Sequence, residues 1–313
     1  AEGNHLGPLY SFKKLANRSY YIMNPDGTYQ NHSGCGNTFN CNQVLARQHI
    51  LDSLRYWVTE FHIDGFRFDL ASILTRGDSG EPLAQAPLLQ EITQDPVLST
   101  VKFIAEPWDM GLYQVGQFHM LSDSCWSEWN GRYRDSVRRF IAGHENASGE
   151  FATRLCGSKD LYWQGTPLNS LNFVTAHDGF TLADLVSYNG KHNQDNGEGD
   201  RDGLNENLSW NCGQEGPAED ATILSRRQRQ MRNFLLALML SRGIPMLSMG
   251  DEYGHTRRGN NNPWSCDDET NWFCWDQLAR PESQLMVNFV TQLIALRKTH
   301  PCLASGHFLT EGD

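Results

Sequence analysis

The stretch HIDGFRFDLAS, residues 62–72, places an arginine and an aspartate two positions apart inside an apolar run. A short apolar run of this kind predicts a buried strand. Because side chains alternate along a strand, Arg67 and Asp69 share one face, while Phe66 and Phe68 share the other and are expected to pack against helices. Desolvation makes a buried ion pair a weak stabiliser, so the charged pair favours a functional role over a structural one.

Helical and strand-like segments alternate along the chain. Residues 42–62 have an apolar stripe that predicts a helix with Asn42 as its N-cap, and the stripe comprises Val44, Ile50, Leu51, Leu54, Trp57, Val58 and Phe61. Further helices are predicted within 87–101, 131–143, 223–243 and 282–300. Strands are predicted near 65–70, 102–107, 126–130, 171–178 and 244–250. This alternation predicts an α/β fold in which helices surround a parallel sheet.

Polar residues recur where the predicted strands end, in FDLAS, AEPWD, TAHDG and MGDEYG. No glycine-rich phosphate turn of the dinucleotide type follows any strand. In (β/α)8 barrels the C-terminal ends of the strands carry the chemistry, so the recurrence favours a TIM barrel over an open sheet.

The composition argues against several classes of function. Charged residues make up 20% and hydrophobic residues 39% of the 313 residues, which suits a large globular domain. The net charge of −11 argues against a nucleic-acid surface, and no apolar run is long enough for a membrane helix. The eight cysteines are scattered without metal-binding spacing, so we expect reduced thiols.

Three predicted strand ends carry carboxylates. Asp69 and Glu106 are 37 residues apart, about one β/α repeat, and Asp178, after His177, lies 72 residues beyond Glu106, about two repeats. Glu106 is followed by Trp108, and an apolar surround favours the protonated form that a general acid needs. Paired carboxylates at the closer spacing hydrolyse glycosidic bonds with retention, so the three strand ends favour a sugar site.

These segments resemble the α-amylase superfamily of glycoside hydrolases. GFRFDLAS is similar to its nucleophile strand, FIAEPWD to its acid strand and FVTAHDGF to its third-carboxylate strand. The similarity is greater to the isoamylase and glycogen-debranching branch and extends through almost the whole chain. It rests on YWVTEFHIDGFRFDLAS, WSEWNGRYRDSVRRFI, LNFVTAHDGFTLADLVSYNGKHN and MGDEYGHTRRGNNN.

Carried over by position, the resemblance implies that Asp69 is the nucleophile and Glu106 the general acid/base. It implies that Asp178 holds sugar hydroxyls and favours an oxocarbenium-like transition state. Arg67 is implied to pair with Asp69 and keep it ionised, and His177 to hydrogen-bond the same sugar. The implied activity is retaining hydrolysis of α-1,6 linkages in a branched α-glucan of the starch or glycogen type, with no cofactor and no metal ion.

The resemblance also implies that parts of the family's fold lie outside the chain. A motif ending the third barrel strand is expected before AEGNH, and the N-terminal and C-terminal β-sandwich domains are expected to be absent. Residues 1–313 are therefore interpreted as a fragment, an incomplete catalytic barrel from after the third strand to the eighth helix, with 1–41 irregular. Expressed alone, such a fragment is expected to aggregate or to be inactive, because its sheet edges are open.

Several alternatives share these features. α-1,4-acting amylases and glucan branching transferases have the same three carboxylates, but GDEYGHTRRGNNN and NGKHNQDNGEGDRDGLNENLSWNCG favour debranching. A non-catalytic glucan-binding partner subunit is disfavoured because all three carboxylates are present. NQDNGEGDRDG does not fit a calcium loop and is interpreted as a solvated loop. The expected compartment is a plastid for a plant or algal protein and the cytoplasm for a bacterial one; no oligomeric state is predicted.

Overall fold

The computed structural model describes residues 3–121 and 126–309. The chain divides into two compact units, which are Ala1–Trp129 with Leu161–Gly165, and Asn130–Asp160 with Thr166–Asp313. In each unit short parallel strands alternate with helices, as the sequence predicts.

In the first unit, the described α-helices are α1 (Ser11–Tyr20), α2 (Val44–Phe61), α3 (Pro87–Gln94) and α4 (Phe118–Leu121). Short 3-10 helices span Ala71–Thr75 and Leu98–Thr100. The strands are β1 (Gly65–Phe68), β2 (Lys102–Ala105) and β3 (Trp126–Trp129). β1 pairs with β2 in parallel, with Gly65 opposite Lys102, and β2 pairs with β3, with Phe103 opposite Trp126.

The register of β1 on β2 depends on a glycine at the start of β1. A Cβ atom at Gly65 would lie 2.6 Å from the carbonyl oxygen of Lys102, too close for any other residue without a backbone shift. The glycine therefore allows the two backbones to approach where their pairing begins.

One face of β1 packs into an aromatic core. Phe68 lies 4.9 Å from Trp126 between ring centroids, and Phe103 lies 5.1 Å from the same indole. Phe66 stacks on Phe103 at 6.3 Å. Phe66 and Phe68 are half-buried against buried Phe103 and Trp126, so each contributes part of the roughly 1.5–3 kcal/mol of a fully buried Phe, and this packing fixes which face of β1 points into the core. Arg67, between the two phenylalanines in the chain, faces the other way, as the alternation predicts.

The second unit has its own core. Its described α-helices are α5 (Gly131–Ala142), α6 (Ser148–Leu155), α7 (Leu182–Leu185), α8 (Ala221–Leu240), α9 (Trp275–Leu278) and α10 (Pro281–Thr299). Its strands are β4 (Ser170–Phe173) and β5 (Ile244–Met246), which pair in parallel with Leu171 opposite Ile244. Short 3-10 helices span Pro167–Asn169, Gln194–Asn196 and Pro301–Ala304. Buried side chains from α5, α8 and α10 form the core, among them Tyr133, Val137, Leu235, Leu238, Met286 and Val290.

The structure differs from the sequence predictions at several element ends. α2 begins at Val44 with Gln43 as N-cap, so the predicted cap at Asn42 is wrong, because the Asn42 side chain donates to the carbonyl oxygen of Arg76 instead. The predicted stripe on α2 is only partly buried, since Val44, Trp57 and Phe61 are exposed. Residues 1–41, which are predicted to be irregular, contain α1, with non-helical backbone at Ala16.

Two further predictions concern the redox state of the cysteines and the absence of a membrane-spanning helix. Seven of the eight cysteines are free thiols, and Cys125 lies outside the described residues. None of the helices in the described part of the chain combines the length and the apolar character needed to cross a membrane.

Candidate active site

The carboxyl end of β1 carries an ion pair in which one partner is open to solvent. Arg67 Nη1 donates to Asp69 Oδ1 over 2.7 Å, and the Asp69 side chain is 70% exposed. The Arg67 guanidinium carbon lies 4.3 Å from the ring centroid of Trp129, at the end of β3. The cation–π contact holds the guanidinium in place, so Asp69 projects toward solvent beside a fixed positive charge.

The carboxyl end of β2 brings a second carboxylate to the same guanidinium. Glu106 Oε1 lies 3.0 Å from Arg67 Nη2, and the Glu106 side chain is only 5% exposed. A carboxylate oxygen of Asp69 lies within 4.8 Å of one of Glu106. The first unit therefore holds an exposed and a buried carboxylate close together, with one arginine between them.

A strained turn links these two carboxylates. Leu70 has φ 41° and ψ 50°, the left-handed conformation, which costs a residue other than glycine about 1–3 kcal/mol. In this conformation the Leu70 N–H donates to Glu106 Oε2 over 2.7 Å, and the Ala71 N–H donates to the backbone oxygen of Glu106 over 2.8 Å. The turn ends β1 directly before Asp69 and fixes the orientation of the Glu106 carboxylate.

The loop after Glu106 places flat apolar rings beside this pair. Trp108 lies 6.0 Å from Tyr113 with nearly parallel rings and 6.3 Å from Trp129. The loop is held by Asp109, whose buried carboxylate accepts from Arg76 Nε over 2.7 Å. A rigid loop with aromatic faces next to two carboxylates suits a ligand that has both apolar faces and hydroxyl groups.

A third buried carboxylate, Glu128 in β3, lies in a different environment. It accepts from the Gly116 N–H over 2.7 Å and the Phe118 N–H over 3.3 Å, and His119 Nδ1 is 4.0 Å away. Burial raises the pKa of Glu128 to about 8, although these N–H groups and Tyr162 act in the opposite direction. Burial also lowers the pKa of His119, so both side chains are neutral at pH 7.

The neutral state of Glu128 predicts a pH-dependent stability. The unfolded chain releases this proton near pH 4.5, whereas the folded chain retains it up to about pH 8. Between these values the folded state binds more protons, so the free energy of unfolding falls as the pH rises. Glu128→Gln is expected to remove this part of the decrease in melting temperature between pH 5 and 8, measured on the complete protein. Glu60→Gln, at an exposed position of α2, is the matched control, and an unchanged profile in Glu128→Gln would contradict the assignment.

The second unit carries the remaining predicted site residues after β4. His177 Nε2 lies 3.3 Å from Asp178 Oδ2, and both side chains are more than half exposed. Arg257 Nη1 donates to the backbone oxygen of His177 over 3.1 Å, and the Arg257 N–H donates to Asp184 Oδ2 over 2.9 Å. Burial lowers the pKa of Arg257, while the carboxylates of Asp184, Asp251 and Asp178 act in the opposite direction. Arg257 therefore places a half-buried cation beside the loop that carries His177 and Asp178.

Asp251, in the segment MGDEYG, hydrogen-bonds to the loop that carries His177 and Asp178. Its buried carboxylate accepts from the Thr175 hydroxyl and from the Leu182 N–H, the latter over 3.0 Å. Burial raises the pKa of Asp251 to about 6, although the two hydrogen bonds lower it. Thr175 and Leu182 flank His177 and Asp178 in the chain, so Asp251 fixes both ends of their loop.

The two segments that favour debranching in the sequence analysis form one network of amides. Asn193 Nδ2 donates to Asn261 Oδ1 over 2.8 Å, and the Asn261 N–H donates back to Asn193 Oδ1 over 3.0 Å. Asp202 Oδ2 accepts from Asn196 Nδ2 over 2.7 Å and from Asn262 Nδ2 over 2.9 Å. The loop interpreted as solvated is thus tied to GNNN by paired amides, which explains the asparagines of both segments.

Each predicted site residue therefore has a defined place in one unit. Arg67, Asp69 and Glu106 meet in the first unit, and His177 and Asp178 adjoin each other in the second. Sequence reasoning missed the groups that hold them, namely Trp129, the Leu70 N–H, Asp251 and Arg257. The signal for Trp129 was its place at the end of a predicted strand, and the signal for Arg257 was its place in HTRRG next to the strand-end motif MGDEYG.

Comparison with known proteins gives close relatives over nearly the whole chain. No family model matches. The chain is 52% identical to isoamylase 1, chloroplastic, of Oryza sativa subsp. japonica over 99% of its length and 41% of the relative. It is 54% identical to isoamylase SU1, chloroplastic, of Zea mays, covering 91% of the chain and 39% of the relative. It is 45% identical to the glycogen debranching enzyme of Enterobacter sp. (strain 638), covering 98% of the chain and 46% of the relative.

Solved structures of pullulanases share the fold. The D470A mutant of the Paenibacillus barengoltzii pullulanase, complexed with maltotetraose, aligns with 96% of the chain and 43% of its own, with a TM-score of 0.74 and 25% identity. The predicted fold class, an α/β (β/α)8 barrel that is incomplete here, is confirmed. The chain spans about 39–46% of the length of the relatives named above. Plant and bacterial relatives match at similar identity, so each predicted compartment stays a prediction.

Proposed function

We propose that this chain, which belongs to the isoamylase and glycogen-debranching branch of the α-amylase superfamily, carries the catalytic residues of a hydrolase acting on α-1,6 branch linkages. The observation that carries the proposal is the pair of carboxylates, Asp69 exposed and Glu106 buried, which both contact Arg67 and have one oxygen each within 4.8 Å of the other. Carboxyl groups about 5–5.5 Å apart are typical of retaining glycosidases, whereas inverting enzymes separate them by about 6.5–9.5 Å to admit a water.

In the proposed mechanism the exposed Asp69 is the nucleophile. Its carboxylate attacks the anomeric carbon on the non-reducing side of the branch linkage, while Glu106 protonates the leaving O6 oxygen. A covalent glycosyl ester on Asp69 results. Glu106, now ionised, takes a proton from water, which attacks the ester and releases the chain with its original anomeric configuration. Arg67 pairs with Asp69 and orients its carboxylate, and the Leu70 N–H orients Glu106 in both steps.

We assign Asp178 and His177 to substrate binding by their match to the family motif. An exposed carboxylate next to an imidazole can accept and donate hydrogen bonds to neighbouring sugar hydroxyls. These bonds favour the distorted ring of the transition state if they strengthen as the glycosidic bond breaks. Arg257 and Asp251, behind the loop, are positioning residues in this proposal because they contact the loop and not the sugar.

The specificity for α-1,6 linkages rests on relatives and on the amide network. Relatives at 45–54% identity carry the names isoamylase and glycogen debranching enzyme. Asn193 and Asn261 fix the two segments that favour debranching over amylase activity against each other. We infer from these two observations that the fixed segments contribute to the preference for a branch point.

Two substrates test the proposed function. The complete protein is expected to release reducing ends from amylopectin, with linear chains as products, and to leave amylose intact. Cleavage of amylose would instead indicate an α-1,4-acting amylase. Binding of both glucans without cleavage of either would favour the non-catalytic partner subunit.

Arg67→Lys tests the role of the shared guanidinium. An ammonium cannot donate to Asp69 and also lie 3.0 Å from Glu106 as the two Nη atoms of the guanidinium do, and loss of the charge-assisted hydrogen bond to Asp69 costs about 1.5–3 kcal/mol. The rate on amylopectin is therefore expected to fall about 10- to 100-fold. Arg55→Lys, an exchange of a helix-surface arginine that pairs with Asp95, is the control and should leave the rate unchanged. Equal rates in Arg67→Lys and the wild type would remove Arg67 from the mechanism.

A further inference from the structure

A short segment of the second unit exposes several large aromatic side chains. Residues 263–276, PWSCDDETNWFCWD, are here called the tryptophan segment. Trp264, Trp272 and Trp275 are exposed by 78%, 56% and 72%. Tryptophan is usually well buried, so three exposed indoles within one short segment indicate a binding surface.

Hydrogen bonds within the segment hold one of these rings in a defined orientation. Trp272 Nε1 donates to Asp267 Oδ1 over 2.9 Å, and the Trp272 N–H donates to the backbone oxygen of Asp268 over 3.0 Å. The Thr270 N–H donates to Asp268 Oδ1 over 2.8 Å. The indole of Trp272 is thus presented to solvent by a structured turn, which lowers the entropic cost of binding a ligand on it.

Buried groups of the second unit anchor both ends of the tryptophan segment. The Cys274 N–H donates to the hydroxyl of buried Tyr253 over 3.0 Å. At the other end, Cys266 Sγ contacts Asn196 Oδ1 at 3.2 Å, and Asn260 Nδ2 lies 3.8 Å from the same sulfur. The exposed rings therefore belong to a segment that is fixed to the amide network of the second unit.

The charges of the segment indicate the chemistry of its ligand. The tryptophan segment contains Asp267, Asp268, Glu269 and Asp276 and no lysine or arginine, while Arg258 and Arg280 flank it in the chain. A negative surface repels nucleic acids and acidic proteins. Carboxylates accept hydrogen bonds from hydroxyl groups, and an indole face covers the C–H face of a pyranose ring. A neutral ligand with many hydroxyls and flat apolar faces meets both requirements.

We propose that Trp264, Trp272 and Trp275 form a binding site for a linear segment of an α-glucan, separate from the residues that cleave it. The choice of an α-glucan rests on the proposed function, and the site deepens that function by naming where the branched substrate is held. Each ring stacks on one glucose unit, and Asp267 and its acidic neighbours accept the hydroxyl groups at the ring edges.

Affinity electrophoresis in gels containing glycogen tests this site in the complete protein with the Asp69→Asn exchange, so that no glucan is hydrolysed during the run. Stacking of a planar ring on an aromatic side chain contributes about 1–3 kcal/mol, so Trp272→Ala and Trp275→Ala are each expected to weaken binding about tenfold. Trp272→Tyr, which keeps an aromatic face, should recover part of the affinity. Trp163→Ala, at an exposed tryptophan of the first unit, is the matched control and should bind like the parent.

Kinetics with otherwise unmodified protein provide the second readout. The tryptophan variants should raise KM for amylopectin and leave kcat on a short branched oligosaccharide unchanged. Unchanged glycogen binding would overturn the proposal, as would a loss of binding that accompanies a changed oligomeric state or a lowered melting temperature, since the rings would then pack against protein. Weakened binding in a protein that cleaves no branched glucan would leave this site intact and overturn the proposed function alone.

Discussion

Asp69→Asn is expected to lower the rate of amylopectin hydrolysis by the complete protein on the order of 10⁴-fold or more, the scale seen when a catalytic nucleophile is lost. The amide keeps the size of the side chain and still accepts from Arg67 Nη1, but it cannot form the glycosyl ester. Because Asp69 is 70% exposed, the exchange leaves no buried group unsatisfied, and the melting temperature should stay close to that of the wild type. Glycogen binding in affinity gels should also remain.

Asp64→Asn is the matched control for this loss. Asp64 is an exposed aspartate directly before β1, at the opposite end of the strand that precedes Asp69. Its exchange should leave the rate unchanged, since it removes the same charge from the same element without touching the site. Turnover by Asp69→Asn within tenfold of the wild type would mean that another group is the nucleophile.

Glu106→Gln is expected to lower the rate on amylopectin about 10³- to 10⁴-fold, because positioned proton transfer contributes about 10²–10⁴ and both half-reactions use this residue. The side-chain oxygen of glutamine can still accept the Leu70 N–H, so the turn at Leu70 is retained. A maltosyl fluoride substrate distinguishes the acid from the nucleophile. Fluoride leaves without protonation, so the first step should proceed and the covalent intermediate on Asp69 should accumulate.

The neighbouring strand supplies the control for Glu106. Glu128→Gln makes the same exchange at another buried glutamate, one that is held neutral by burial and takes no part in the mechanism. It should hydrolyse amylopectin at the wild-type rate at pH 7. Full activity of Glu106→Gln on amylopectin, or an equal loss with the fluoride substrate, would contradict the assignment of Glu106 as general acid.

The positions of the strands could be predicted from the sequence because their apolar runs are short and bounded by polar residues. Period-two alternation correctly placed Phe66 and Phe68 on the core face of β1 and Arg67 on the other. Each predicted strand extends further toward the C-terminus than the strand in the structure. β1 stops at Phe68 because Leu70 adopts a left-handed conformation, and sequence periodicity gives no sign of this in a leucine.

The contacts that orient the site depend on tertiary structure and could not be predicted from local pattern. Trp129 reaches the guanidinium of Arg67 only because β3 is the next strand but one from β1 in the first unit. The predicted cap at Asn42 failed for the same reason, since the carbonyl oxygen of Arg76, 34 residues away, takes up its amide. From sequence alone, a buried polar residue such as Asp251 is predicted to be an ordinary loop residue. Only the fold shows that its carboxylate binds Thr175 and Leu182.

Proton NMR of amylopectin during digestion by the complete protein tests the central claim most directly, because the anomeric signals report both linkage and configuration. The signal of the α-1,6 linkage should decrease while the α-1,4 signal stays constant, and the first new reducing ends should be α-anomers that later equilibrate with β-anomers. First-formed β-anomers would contradict the double displacement through Asp69, and a decrease of the α-1,4 signal would contradict the assignment as a debranching hydrolase.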